Sequence, residues 1–104
     1  MSPYHFIALG DLHLVAGPRN ADRLAALDYV IVHAPQQGPV DAWFWPGDLS
    51  HAGLTIELRN ALVERVTTMA AVAPVIIVPG NHDPDGDLNF LARLRTRWPV
   101  RVPT

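Results

Sequence analysis

"PVIIVPG", residues 74–80, is an unbroken apolar run closed by Pro-Gly. A strand with one wet face alternates apolar and polar residues; this one does not, as a strand covered on both faces should not. Such strands belong to parallel sheets, whose crossover helices provide the cover. Directly beyond the glycine stand Asn81, His82 and Asp83: an amide, an imidazole and a carboxylate in a row. The run therefore raises a second question, why three polar groups of different chemistry crowd the exit of a buried strand.

On the N-terminal side of this run the periodicity becomes helical. In "TIELRNALVERVTTMAAV", residues 55–72, Leu58, Leu62, Val66 and Met69 form one apolar stripe, Thr55 is placed to cap the start and Pro74 to stop the helix. Upstream, "VDAWFWPG", residues 40–47, reads as a strand stopped by Pro46 and Gly47. "NADRLAALDYVIVHA", residues 20–34, puts Leu24, Leu27, Ile31 and Ala34 on one helical face, with Asn20 at its start. "YHFIALG", residues 4–10, reads as a first strand ending at Gly10. Downstream, "DLNFLARLRTRW", residues 87–98, reads as a third helix capped by Asp87, and "VRVP", residues 100–103, as a short last strand. The order β-α-β-α-β-α-β predicts a parallel α/β sheet with right-handed crossovers, so that all strand C-terminal ends lie along one edge.

Length and composition bound the rest. The 104 residues fit one small domain, and 49% apolar content is enough to build a core. The net charge of -2 gives no general attraction to nucleic acid or acidic membranes. All eight basic residues are arginine, and Arg93, Arg95, Arg97 and Arg101 crowd the C-terminal end, which reads as a solvated helix face or as a phosphate-contacting patch. With no cysteine there are neither disulfides nor thiolate metal sites. The N-terminus has no signal-peptide pattern, and the longest apolar segment, Met69 to Val78, is too short for a bilayer and holds Pro74. A soluble cytoplasmic protein without a membrane partner is expected.

The three main strands leave through similar punctuation: "IALGDLH", "FWPGDLSH" and "IVPGNHD". Glycine lets the backbone turn sharply off the sheet, and in open α/β sheets the crevice beyond the strand C-termini is where ligands bind. Asp11, His13, Asp48, His51, Asn81 and His82 should therefore converge from three loops. Carboxylates, imidazoles and an amide oxygen are ligands for Mn, Fe or Zn, and a carboxylate can bridge two ions. Two ions about 3.5–4 Å apart clamp the attacking and leaving oxygens of a phosphoryl displacement. Singly, each piece has an ordinary reading: a chance Asp-X-His, a Gly-Asp turn, an Asx turn with a helix cap. Three strand ends with one set of ligand types make the metal-site reading the better one.

At this point the sequence resembles the calcineurin-like metallophosphoesterases. Their Asp-X-His, Gly-Asp and Gly-Asn-His-Asp motifs stand here as Asp11-Leu12-His13, Gly47-Asp48 and Gly80-Asn81-His82-Asp83, and the resemblance covers nearly the whole chain. It implies two divalent ions, Mn first and Fe or Zn as alternatives. Asp11 and His13 would hold the first, Asp48 would bridge, and Asn81 would hold the second. It also implies His82 as the acid at the leaving oxygen and Asp83 as the carboxylate that orients it.

Protein phosphatases of the family carry an Asp-Arg pair after the second motif; here "GDLSHAG" has no arginine. Gly-Asp-Leu-X-His is more similar to the DNA exonuclease subunits of double-strand-break repair complexes. That likeness implies a DNA exonuclease or endonuclease, with His51 near the scissile phosphate. A small-molecule phosphomonoesterase or cyclic-nucleotide phosphodiesterase is the alternative, and an inactive half-domain acting only with a partner is a third.

The family normally adds a further histidine and a Gly-His-X-His motif, but no histidine follows His82. His5 and His33 read as structural or solvent-exposed, the latter near a helix C-terminus. The resemblance thus implies one partial domain over residues 1–104. It would be the parallel β-α-β-α-β-α-β half of a metallophosphoesterase αββα sandwich, with an apolar sheet face uncovered. A second chain supplying the missing histidine ligands is the expected partner, beside DNA or another phosphate ester.

Overall fold

The computed structural model describes residues 5–9, 20–46, 54–80, 86 and 88–103. Four strands form one sheet in the order of the chain: β1 (Phe6–Ala8), β2 (Ala42–Trp45), β3 (Val75–Ile77) and β4 (Val100–Arg101). Every pairing is parallel. Helix α1 (Asn20–His33) lies between β1 and β2, and α2 (Ile56–Ala70) between β2 and β3. The predicted parallel α/β architecture is what the chain adopts, as half of a metallophosphoesterase-type sandwich would.

The strands align in layers. Ile7, Trp43, Val75 and Val100 are in register across the sheet, and all but the half-buried Ile7 are buried. Toward the strand C-termini Leu9, Trp45 and Ile77 follow, also buried. Because the crossovers all step one way, right-handedness puts α1 and α2 on one face of the sheet. Leu27 and Ile31 of α1 and Leu58, Leu62, Val66 and Met69 of α2 join those strand residues in a single core. The apolar stripe read from α2 is this buried face. The opposite sheet face carries Ala8, Phe44, Ile76 and Arg101 in register, with Phe6 alongside. Phe6 and Phe44 are exposed, so that face is open among the described residues, in line with the expectation of an uncovered apolar face.

Local chemistry explains the element boundaries. Thr55 caps α2, its hydroxyl accepting from the Leu58 backbone N–H at 3.2 Å. At the other end the Met69 carbonyl accepts from the N–H groups of Val72 and Ala73 and from the Trp43 indole, which ties the last turn of the helix to the sheet. Asp28 on α1 and Arg65 on α2 tie the helices together: Nη2 donates to Oδ2 at 3.0 Å, while Nε lies 2.9 Å from Oδ1 without hydrogen-bond alignment. Helix α1 runs into a 3₁₀ turn, Ala34–Gln37, and Gly38, at φ +151°, carries the chain on toward β2 in a conformation closed to residues with a Cβ.

The third helix expected over residues 87–98 is a correction. The chain forms a five-residue 3₁₀ helix, Asn89–Arg93, with Leu88 at its N-cap and no side-chain cap; Asp87 lies outside the described residues. Leu88, Leu91 and Leu94 recur at a spacing of three, and the first two are buried. That is the 3₁₀ period rather than the i, i+3, i+4, i+7 of an α-helix. Leu94 turns extended, the Trp98 N–H donates to Ala70 O at 2.9 Å, and Pro99 disfavours helix at the residue before it. Arg59 of α2 stacks over Phe90, 5.1 Å from the ring centre, and anchors the 3₁₀ helix from outside.

Candidate metal centre

Asp11, His13, Asp48, His51, Asn81, His82 and Asp83 all lie outside the described residues. What is described is the frame that launches them. The Leu9 N–H donates to Phe44 O at 2.8 Å, and the Val78 N–H donates to Trp45 O at 2.9 Å. These are sheet bonds at the C-terminal ends of β1, β2 and β3. Gly10 follows Leu9 directly, Gly47 follows Pro46, and Gly80 follows Val78 and Pro79. The three exits stand on adjacent strands, and neighbouring strands are about 4.8 Å apart, so the three loop origins span roughly 10 Å along one edge.

The local sequence dictates this frame. "WFW", residues 43–45, and "VII", residues 75–77, are aromatic or β-branched and suit a pleated, half-buried surface. Pro46 and Pro79, just past β2 and β3, have no N–H to continue a ladder. The chain leaves the sheet after Leu9, Trp45 and Val78, two or three residues before the first candidate ligand of each loop.

The remaining histidines sit at the other end of the molecule. His5 immediately precedes β1. Its backbone N–H donates to Asp41 Oδ2 at 2.6 Å, and its carbonyl accepts from the Asp41 N–H at 2.9 Å. Its Nδ1 is 2.9 Å from the Pro39 carbonyl, which can only accept, so that nitrogen carries the ring proton. His33 closes α1 with its ring 4.1 Å from that of Tyr29. Both therefore have structural partners, as expected, and neither is near the exits.

Among the described residues no group of three or more His, Cys, Asp or Glu could hold a metal ion. The donors that fit divalent ions are those following the three exits: Asp11, His13, Asp48 and Asn81, a carboxylate–imidazole–amide set without thiolates. That set suits Mn, Fe or Zn.

The chain matches the family described as calcineurin-like phosphoesterase over residues 4–103. The chain belongs to that family. Its members use metal ions, generally two, to hydrolyse phosphoesters, which is the chemistry the donor set accommodates. The match spans all three exits and every candidate ligand. No curated protein matches the chain.

One residue at this edge was not legible in advance. Trp45 is fully buried beneath the second exit, and its indole Nε1 has no hydrogen-bond partner among the described residues. In "AWFW" both tryptophans point inward by strand alternation, which sequence does signal; that one is hydrogen-bonded and the other is not, it does not.

Proposed function

We propose that the chain acts on phosphodiester bonds, with DNA as substrate, as a nuclease of the repair or recombination type. The supporting observation is the alignment of three parallel strand exits on adjacent strands, each leading into one of the family motifs, with "GDLSH" as the second. In this reading Asp11, His13 and Asp48 would hold one divalent ion, and Asp48 and Asn81 would hold a second. Such ions, when bound, supply neutralisation of the charge that develops on a phosphate in displacement. His82 protonates the departing oxygen, and Asp83 accepts its other ring N–H and fixes the tautomer. His51 stands near the scissile phosphate.

The test is Asp48→Asn. Mn-dependent cleavage of linear DNA should be lost, while circular dichroism stays unchanged. Cleavage retained by the variant refutes the site. Hydrolysis of small phosphodiesters or monoesters without cleavage of DNA would move the reading to a small-molecule phosphoesterase.

A second reading has its own support: no histidine follows His82, so the second ion has few ligands from this chain. We infer that further histidines come from outside residues 1–104. Rescue of activity by a complementing chain separates a split enzyme from an inactive remnant.

A further inference from the structure

Arg93, Arg95, Arg97 and Arg101 do not share a helix face. Arg93 ends the 3₁₀ helix, Arg95 lies in the irregular lead-in to β4, Arg97 at a bend within it, and Arg101 on β4 itself. All four are exposed. None makes an ion pair or side-chain hydrogen bond among the described residues, and no acidic residue follows Asp87. The lead-in enters β4 from its N-terminal end, because the Val75 N–H donates to Pro99 O. Arg95 and Arg97 thus lie at the edge of the sheet opposite the three exits, and cannot share a phosphate with them.

Arg95, Arg97 and Arg101 rim an open depression formed with Leu94, Thr96 and Pro99. Between Arg97 and Pro99 in the chain, though not itself part of the lining, is Trp98, a large aromatic residue that is 42% exposed although its backbone N–H is fixed to Ala70. Asp41 is the described acid at this end of the sheet. It lies on the lead-in to β2, two strands away, and is already engaged with the His5 N–H. Potentials fall off within about 8 Å at physiological salt, so the local charge rather than the net -2 governs an approaching anion.

Exposed guanidiniums and an exposed indole within one seven-residue stretch, 95–101, suit one ligand in particular. Guanidiniums pair with phosphate oxygens, and an indole face stacks on an unpaired base. A duplex hides that base face. We propose that the surface of Arg95, Arg97, Trp98 and Arg101 binds single-stranded nucleic acid through its backbone and one stacked base. This is a site separate from the strand exits and does not rest on the hydrolytic reading.

The test uses the full chain in EDTA, where no metal-dependent cleavage can intervene. Anisotropy of a labelled oligothymidylate is expected to report binding that weakens about tenfold between ~50 and ~150 mM salt, as for three phosphate contacts on a single strand. Tryptophan emission should fall on binding, and the fall should vanish in Trp98→Leu. Arg95→Gln/Arg97→Gln/Arg101→Gln should weaken binding at least tenfold and flatten the salt dependence. If that triple variant does not fold by circular dichroism, Arg97→Gln alone should reduce the salt slope by about 0.7. Unchanged binding in the folded arginine variants overturns the proposal. So does binding of duplex DNA or heparin as tight as that of the oligothymidylate, with no change in Trp98 emission, which would reveal a charge-only patch.

Discussion

The indole N–H of Trp43 donates to the carbonyl of Met69 at 2.9 Å, joining the middle of β2 to the end of α2 in a fully buried setting. Two residues along the same strand, Trp45 is equally buried, but its indole nitrogen has no partner among the described residues. The pair is a natural control. Both Trp→Phe changes remove a similar volume, but only one breaks this bond. Trp43→Phe should cost about 1 kcal/mol more than Trp45→Phe, the net worth of one buried hydrogen bond. Urea denaturation of both variants checks this; equal losses would mean the bond is not what distinguishes them.

Thr55 is the residue that starts α2. Its hydroxyl accepts from the Leu58 N–H, so Thr55→Ala should lower unfolding free energy by about 1 kcal/mol, and Thr55→Ser by much less. Denaturant midpoints with unchanged slopes are the readout.

Core packing against the sheet makes a larger prediction. Leu62 is fully buried between α2 and the strands, whereas Ile56, one turn and a half earlier, is exposed. Leu62→Ala should cost about 2–5 kcal/mol, while Ile56→Ala should stay within roughly 0.5 kcal/mol of neutral. Thermal melts of the two variants decide it.

The proposed role of His82 is tested through the leaving group. A proton donor matters most when the departing oxygen is a poor leaving group. His82→Ala should slow hydrolysis of a nucleotide diester about 10²–10⁴-fold, and that of a nitrophenyl diester far less. Equal slowing of both substrates would assign His82 a role in binding rather than in proton transfer.

The metal reading is checked by counting ions. After Mn supplementation and gel filtration, elemental mass spectrometry on this chain alone should find well under two ions per chain, falling further in Asp48→Asn. Two tightly held ions in a monodisperse monomer would overturn the inference that ligands from outside residues 1–104 complete the site.

Much of the architecture is legible because it is local. Thr55 and Pro74 bracket α2, and its four-residue stripe is the buried face. The three apolar runs are strands because their residues suit nothing else once buried. The run over residues 87–98 misleads because Arg, Leu and Ala favour helix in isolation. There the spacing of Leu88, Leu91 and Leu94 and the tether of Trp98 to Ala70 override propensity, and the tether is a contact between segments far apart in sequence. The single helix face read for the arginines is absent for the same reason: without that helix they divide among the 3₁₀ helix, the lead-in to β4 and β4 itself. For the site, motif chemistry is readable residue by residue. That β1, β2 and β3 are neighbours is a property of sheet order, which no single strand encodes.

The strand order also bears on how the chain is made. Each strand pairs with the one synthesised just before it: Phe6 with Ala42, Trp43 with Val75, Val75 with Val100. The sheet can therefore grow by accretion from its N-terminal side as the polypeptide emerges, no strand having to wait for a later one to open a gap. The edge that launches the candidate metal ligands is finished when β3 docks. The arginine-bearing strand arrives last, on a scaffold already assembled.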